Sequence, residues 1–254
     1  MLRQNSKQMK SFKLKIFCDF DGTISKNDVW INTIYQFIDD KEKFKDLLNE
    51  FHAGNIGTKE TGIRIIDLVE NFSLENFNTA IDKEEIDEYF KDFIIYCRDN
   101  SIELRVVSSG WDHYINRILG SEGIDLEVYS TELVLNKTAD SEYELSTKYN
   151  YTDEYCQLCE TCKRNILISN TNDLDDEISV FIGDGASDYC VSNFADIVFA
   201  KGNLASYCWK NNITYFEYKN FQDIRNKLTK LISSGKIKQR QEARVRRKDI
   251  FLGG

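Results

Sequence analysis

The chain has no proline among its 254 residues. Its turns must therefore rest on glycine, asparagine and aspartate, which reach unusual backbone angles or bond their own main chain. It also lacks any apolar run near the ~20 residues that cross a bilayer. One of the longest, Ile178 to Ile182, is already broken by Ser179, so no membrane span is expected. Segment 1–13 is polar and basic without the apolar stretch of a secretory signal, and export is not expected either. Positive charge is in deficit: 33 Lys and Arg against 42 Asp and Glu leave a net charge of −9. That balance argues against nucleic acid as the main partner, since phosphate backbones are held by clustered cations. Histidine is scarce, and His52 and His113 are isolated from any pattern that needs one. The seven cysteines are an odd number in a chain without a visible signal, which reads as reduced thiols in a cytoplasm.

What remains is enough for one α/β core with a smaller appendage, at 41% hydrophobic and 30% charged residues. Phe12 to Cys18 alternates apolar and basic residues before turning fully apolar, as a first strand does on entering a sheet. From Val29 to about Ala80 the period becomes helical, and a further helical stripe runs through Ile86, Tyr89, Phe90, Phe93 and Cys97. Leu104 to Val107, Ile178 to Ile182, Ile197 to Ala200 and Ile213 to Phe216 read as strands, with a closing amphipathic helix from Phe221 to Ile232. Strands alternating with helices predict a parallel sheet covered on both faces, with ligands at the carboxyl ends of its strands. Two alternating stretches, Leu126 to Leu135 and Tyr143 to Tyr149, flank a polar turn at 136–142 and predict a β-hairpin. Lys236 to Lys248 carries seven Lys or Arg against one Glu, the mark of a solvated or frayed tail. The expected division is a core at 1–28 and 85–235, a helical cap at 29–84, a hairpin insertion at 126–149 and a basic tail at 236–254.

The chemistry gathers at the predicted strand ends. Asp19 and Asp21, one residue apart after the first strand, can face one cleft, one to attack and one to move protons. As a bare pair they could equally cap a turn. The full run Phe17-Cys18-Asp19-Phe20-Asp21-Gly22-Thr23-Ile24, however, resembles the first motif of the haloacid dehalogenase (HAD) superfamily of phosphatases, and three further motifs follow in order. These are Val106-Val107-Ser108-Ser109-Gly110, then Lys163, then the strand and loop Val180-Phe181-Ile182-Gly183-Asp184-Gly185-Ala186-Ser187-Asp188. The resemblance covers most of the chain and implies a Rossmann-like parallel sheet with a small helical cap after the first strand. It implies Asp19 as nucleophile, Asp21 as acid and base, and Ser108 and Lys163 as catalytic partners that grip the phosphoryl group together with Ser109 and Gly110. It implies Mg²⁺ held by Asp19, the backbone carbonyl of Asp21 and Asp184, with Asp188 ordering the ion's water. Several carboxylates around one cleft would repel one another without a cation, which leads to the same expectation.

The placement of the cap resembles the phosphoserine phosphatase-like branch, subfamily IB. Asn27-Asp28, Lys59-Glu60-Thr61-Gly62 and Ser108-Ser109-Gly110-Trp111-Asp112 are similar to runs in methionine-salvage phosphatases. Gly183 to Cys190, with a cysteine cluster ahead of Lys163, resembles phosphoethanolamine/phosphocholine phosphatases. The implied substrate is a small phosphorylated metabolite, and Asp28, Trp111 and Arg64 are candidate contacts to it. Asp28 reads equally as a helix N-cap. Arg64 reads equally as a surface partner of Glu60 one turn away. Cys156, Cys159 and Cys162 have zinc-like spacing but need a fourth ligand, with His113 or Cys190 as candidates. A phosphotransferase or mutase would keep the same motifs, and a binding protein on the same fold would be expected to lose one.

Overall fold

The computed structural model describes residues 12–137 and 143–251. The polar segment at 1–11 and most of the expected hairpin turn, 138–142, lie outside these, as does 252–254. In chain order the elements begin with β1 (Lys13–Cys18), α1 (Val29–Ile34), α2 (Lys41–His52), α3 (Thr58–Ile66), α4 (Leu74–Ile81), α5 (Phe90–Asp99) and β2 (Glu103–Trp111). Then come α6 (Asp112–Ser121), β3 (Glu127–Lys137), β4 (Tyr143–Lys148), α7 (Lys163–Ser169), β5 (Glu177–Gly183) and α8 (Tyr189–Ser192). The last are β6 (Ile197–Ala200), α9 (Gly202–Lys210), β7 (Phe216–Glu217), α10 (Phe221–Ser233) and α11 (Gln241–Phe251).

The strands form one sheet in the order β4-β3-β2-β1-β5-β6-β7, parallel throughout except for β4 against β3. The pattern of β1 explains its central place. Ile16 and Cys18 face one apolar layer and Phe17 the other, and all three are fully buried, as a strand covered on both faces requires. Each such side chain contributes about 1.5–3 kcal/mol. The carboxyl ends of β1, β2 and β5 therefore stand side by side, which is where the motif residues sit.

The helical stretch predicted after the first strand is present as α1 to α4. Its short helices start where side chains cap them: Asp28 accepts from Ile31 N, Asp40 from Lys43 N and Ser73 from Asn76 N. The chain leaves and re-enters the core at one place, because Ser25 bridges Ile86 and Lys26 N donates to Glu85 O at 2.9 Å.

Three predicted elements differ in detail. β2 runs on through Ser108-Ser109-Gly110 to Trp111 and shifts register against β3 between Val107 and Trp111, where a turn was expected. The hairpin exists, but its first strand pairs with β2 as well as β4, so it widens the main sheet. The basic tail is not frayed. Residues 241–251 form α11, and Arg247 is 1% exposed, joined to Asp173 and Asp196 and donating to Phe194 O. The basic run hid this anchor because one of its arginines meets two acids of the core.

Removing one partner of a buried ion pair leaves the other charged and unsolvated. Arg247→Ala should therefore cost about 3–5 kcal/mol in urea unfolding. The exposed neighbour Arg246→Ala should stay within about 0.5 kcal/mol. Equal effects would show that the helix is not anchored through Arg247.

Candidate active site

Asp19 follows β1 directly, and its N–H continues the ladder to Ile182 O at 2.9 Å. Its side chain is buried, with Oδ1 2.6 Å from Lys163 Nζ. The same ammonium donates to Asp188 Oδ1 at 2.6 Å and Ser187 Oγ at 3.1 Å. Lys163 opens α7 and is itself buried, so two carboxylates from neighbouring strand ends share one cation. Asp188 is oriented from its other oxygen, which accepts from the N–H groups of Asp184 and Gly185. Asp184 Oδ1 accepts from Thr23 Oγ1 at 3.3 Å.

Asp21 sits in different surroundings. Its Oδ1 accepts from Val29 N at 3.0 Å and Trp30 N at 3.4 Å, the first amides of α1. Its Oδ2 accepts from Tyr114 Oη at 2.6 Å and Ser108 Oγ at 3.3 Å. Enclosure, then the charge of Asp28, pushes Asp21 up to about 7 against the bonds from Tyr114, Trp30 and Val29. Burial and the charge of Asp188 raise Asp19 too, but Lys163 opposes them. The two neighbouring acids thus have unlike partners: an ammonium for Asp19, neutral donors for Asp21.

One carboxylate oxygen each from Asp19, Asp184 and Asp188 lie within 4.8 Å of one another. Three acids against one lysine leave excess negative charge, and burial with Asp188 pushes Asp184 up to about 6. Hard oxygen donors at this spacing suit a small divalent cation such as Mg²⁺. The backbone keeps room for them. A Cβ on Gly22, at φ +67°, would fall 2.6 Å from Asp184 Oδ2, and one on Gly183 would fall 2.2 Å from Asp188 Oδ2. The carboxylate of Asp21 stands outside this trio; the expectation from the sequence was for its carbonyl.

These groups open into a cavity of about 540 Å³ lined by Asp19, Asp21, Ser108, Ser109, Gly110 and Asp184 on the sheet side. Asp28, Trp30, Phe51, Thr58 and Thr61 line it from α1, α2, α3 and the turn before α1. Asp28 caps α1, as one reading of it expects, and also lines the cavity. Two substrate candidates are corrected. Trp111 is 1% exposed and packs edge-on against Trp30 at 5.9 Å, away from the cavity wall. Arg64 is exposed and pairs with Glu50 and Glu60, since an i,i+4 pair on the outer face of a short helix stays in solvent.

The cysteines of the zinc-like run are free thiols. Cys190 does approach Cys156, Cys159 and Cys162 closely enough for electrostatic coupling, whereas His113 is engaged with Asn78 Oδ1 at 2.7 Å. Among the described residues only the Asp19, Asp184 and Asp188 trio brings ligand atoms close enough to share one ion. Two residues escaped the sequence reading. Tyr114 reaches Asp21 from the first turn of α6 without any motif to mark it. Glu160 lines the cavity from the loop before α7, and its only signal is an acid set among the cysteines.

The haloacid dehalogenase-like hydrolase family model matches residues 16–192. The chain belongs to this family. Among curated proteins this HAD-like hydrolase is 29% identical over 222 residues to the 2-hydroxy-3-keto-5-methylthiopentenyl-1-phosphate phosphatase of Bacillus cereus, covering 86% of this chain and 97% of that one. The Bacillus anthracis protein of the same name is 27% identical over 224 residues, covering 86% and 97% of the two chains. Solved structures share the HAD-like fold. A phosphoserine phosphatase with a phospho-aspartyl intermediate analogue superposes with TM-score 0.64 at 22% identity, covering 84% of this chain and 98% of that one. A substrate-bound phosphoserine phosphatase superposes with TM-score 0.62 at 24% identity over 85% and 97% of the two chains. No helix among the described residues is long and apolar enough to cross a membrane.

Glycine is required at position 110, near the end of β2. A Cβ at Gly110 would lie 1.6 Å from Tyr114 Oη and 2.6 Å from Asp21 Oδ2, whereas at Gly120, within α6, it meets nothing. Gly110→Ala should destabilise by about 1–3 kcal/mol. Gly120→Ala should stabilise by about 0.5–1 kcal/mol, measured alike by urea unfolding. Indifference at position 110 would mean that Tyr114 does not close over Asp21.

Proposed function

We propose that the protein is a Mg²⁺-dependent phosphomonoesterase that forms an aspartyl-phosphate on Asp19. The observation that carries this reading is the contrast between the two acids: Asp19 bonded to a buried ammonium, Asp21 to the hydroxyls of Tyr114 and Ser108. Burial raises Asp19, but the ammonium beside it opposes that shift and favours the attacking carboxylate, whereas Asp21, pushed up to about 7, can give and take a proton at working pH.

An Asp19 carboxylate oxygen attacks phosphorus in line and forms the new P–O bond as the ester P–O bond breaks. Asp21 gives its proton to the departing alkoxide. Asp21, now ionised, takes a proton from water, and the resulting hydroxide attacks the aspartyl-phosphate, releasing inorganic phosphate and restoring both acids. Ser108 exchanges its 3.3 Å bond to Asp21 for a phosphoryl oxygen, joined there by Lys163 and the amides of Ser109 and Gly110. Asp19, the carbonyl of Asp21 and Asp184 would hold Mg²⁺, with Asp188 ordering its water, and when bound the ion supplies positive charge to the phosphoryl oxygens. Helices α1 to α4 act as a cap that keeps bulk water from the intermediate and bounds the leaving group to a small molecule.

The relatives from Bacillus support a small metabolite as substrate, the methionine-salvage enol phosphate being the one their name specifies. The seven free thiols support a reducing compartment, the cytoplasm.

Purified protein with Mg²⁺ should release phosphate from p-nitrophenyl phosphate without any added acceptor, and EDTA should stop it. Asp19→Asn should lower kcat by at least about 10³-fold, and Lys163→Met by about 10²–10³-fold. Full activity of Asp19→Asn would refute the covalent route, and a strict need for an alcohol acceptor would make the protein a transferase.

A further inference from the structure

Of the two hydroxyls on Asp21, the mechanism uses Ser108 and leaves Tyr114 without a task. Tyr114 is fully buried in the apolar layer that holds Ile16 and Cys18, and it does not line the cavity. Its Oη lies 2.6 Å from Asp21 Oδ2, the spacing of an O–H that faces a carboxylate. Among the described residues Asp21 is its only hydrogen-bond partner. A phenol enclosed in this way donates there, because a proton turned elsewhere would leave a buried donor unmet at a cost of about 1–3 kcal/mol.

The chain secures this contact from both sides. Asp112, the first residue of α6, accepts from Leu133 N at 2.9 Å and so fixes the start of the helix to β3. Tyr114 stands two residues on, with its ring 6.1 Å from that of Phe20. Opposite it, Gly110 leaves open the space that a Cβ would take at 1.6 Å from Oη.

The acceptor positions of Asp21 give the contact its consequence. A carboxylate has about four of them. Val29 N and Trp30 N fill those of Oδ1, and Tyr114 and Ser108 fill those of Oδ2. To act as an acid, Asp21 must carry a proton at one of the four, and the donor there must leave. The main-chain amides of α1 cannot turn away, and the Tyr114 hydroxyl has no other acceptor to turn to. Ser108 makes the longer of the two hydroxyl bonds, 3.3 Å, and on the proposed route it moves to a phosphoryl oxygen. The position it vacates lies on the side of the cavity lined by Ser108, Ser109 and Gly110.

We propose that Tyr114 is a positioning residue that confines the transferable proton of Asp21 to the lobe of Oδ2 facing the leaving group. The inference rests on the phosphomonoesterase reading and adds to it a residue outside the cavity. The proton passes from Oδ2 to the departing alkoxide oxygen as the ester P–O bond breaks, and Tyr114 keeps its own O–H throughout. Without that hydroxyl the proton can settle on the lobe turned toward the core, where no leaving group reaches it.

The test compares Tyr114→Phe with wild type, full chain with Mg²⁺, on two esters of similar size. The leaving group of p-nitrophenyl phosphate departs without a proton, whereas the alkoxide of benzyl phosphate needs one. The readout is kcat/KM, which ends with departure of the leaving group and leaves out the later hydrolysis of the intermediate. Tyr114→Phe should lose about 10–100-fold on benzyl phosphate, and at least about 5-fold less than that on p-nitrophenyl phosphate. Its Ki for inorganic phosphate should stay within about 3-fold of wild type, which separates a misplaced proton from a damaged phosphate site. Asp21→Asn, which has no proton to transfer, should show the same contrast between the esters and a larger one. Losses on the two esters closer than about 5-fold, no loss on benzyl phosphate, or a contrast exceeding that of Asp21→Asn would overturn the role of Tyr114. Wild type that turned over p-nitrophenyl phosphate but not benzyl phosphate would deliver no proton to an alkoxide, and would overturn it as well. Failure of wild type on both esters would instead refute the phosphomonoesterase reading itself.

Discussion

The buried ammonium of Lys163, 2.6 Å from both Asp19 and Asp188, is the contact on which the site depends. It ties the end of β1 to the loop after β5 through the first residue of α7, and it can do so because β1 and β5 are adjacent parallel strands. A lysine is buried at this depth only when carboxylates face it, and carboxylates crowd together only when a cation joins them. The loop that delivers Lys163 has little regular structure. It is held by Asp153, whose carboxylate accepts from Cys156 N, Arg164 and Asn165. Order in that loop is therefore order at Asp19.

From this contact the unlike surroundings of the two aspartates follow. Asp19 shares a cation, while Asp21, two residues on, has turned toward α1 and α6 and meets amides and hydroxyls only. The helical stretch between β1 and α5 does two things at once: α1 begins on Asp21, and α3 carries Gly62, against which Glu160 rests. The surroundings of Asp21 and the seat of Glu160 are thus built from the same few helix starts. That coupling makes the acid environment sensitive to how the helices close over the sheet.

Much of this was legible in the sequence, for a physical reason. Residues at the ends of buried parallel strands have their direction fixed by the sheet, so apolar runs ending at Asp19, Ser108 and Asp184 located the cleft before any coordinates. Side chains placed by contacts far along the chain or by a local irregularity were not legible. Trp111 ends β2, and the register shift between Val107 and Trp111 breaks the strand's alternation, so the ring joins the core layer of Val106 behind Trp30. Arg64 satisfied a helical spacing that serves a solvent pair as readily as a ligand. Tyr114, Glu160 and Arg247 each act through a partner far along the chain, respectively Asp21, Gly62 and Asp173, which local pattern does not encode.

The central claim is that the phosphoryl group passes through Asp19. The most direct measurement is a rapid-quench reaction with an aryl phosphate, followed by acid peptide mapping of the trapped protein by mass spectrometry. The account predicts one phosphorylated peptide, carrying the group on Asp19 and losing it to hydroxylamine as an acyl phosphate does. Phosphate found on Asp21, Ser108 or another residue, or turnover with no phosphorylated protein at any quench time, would contradict it.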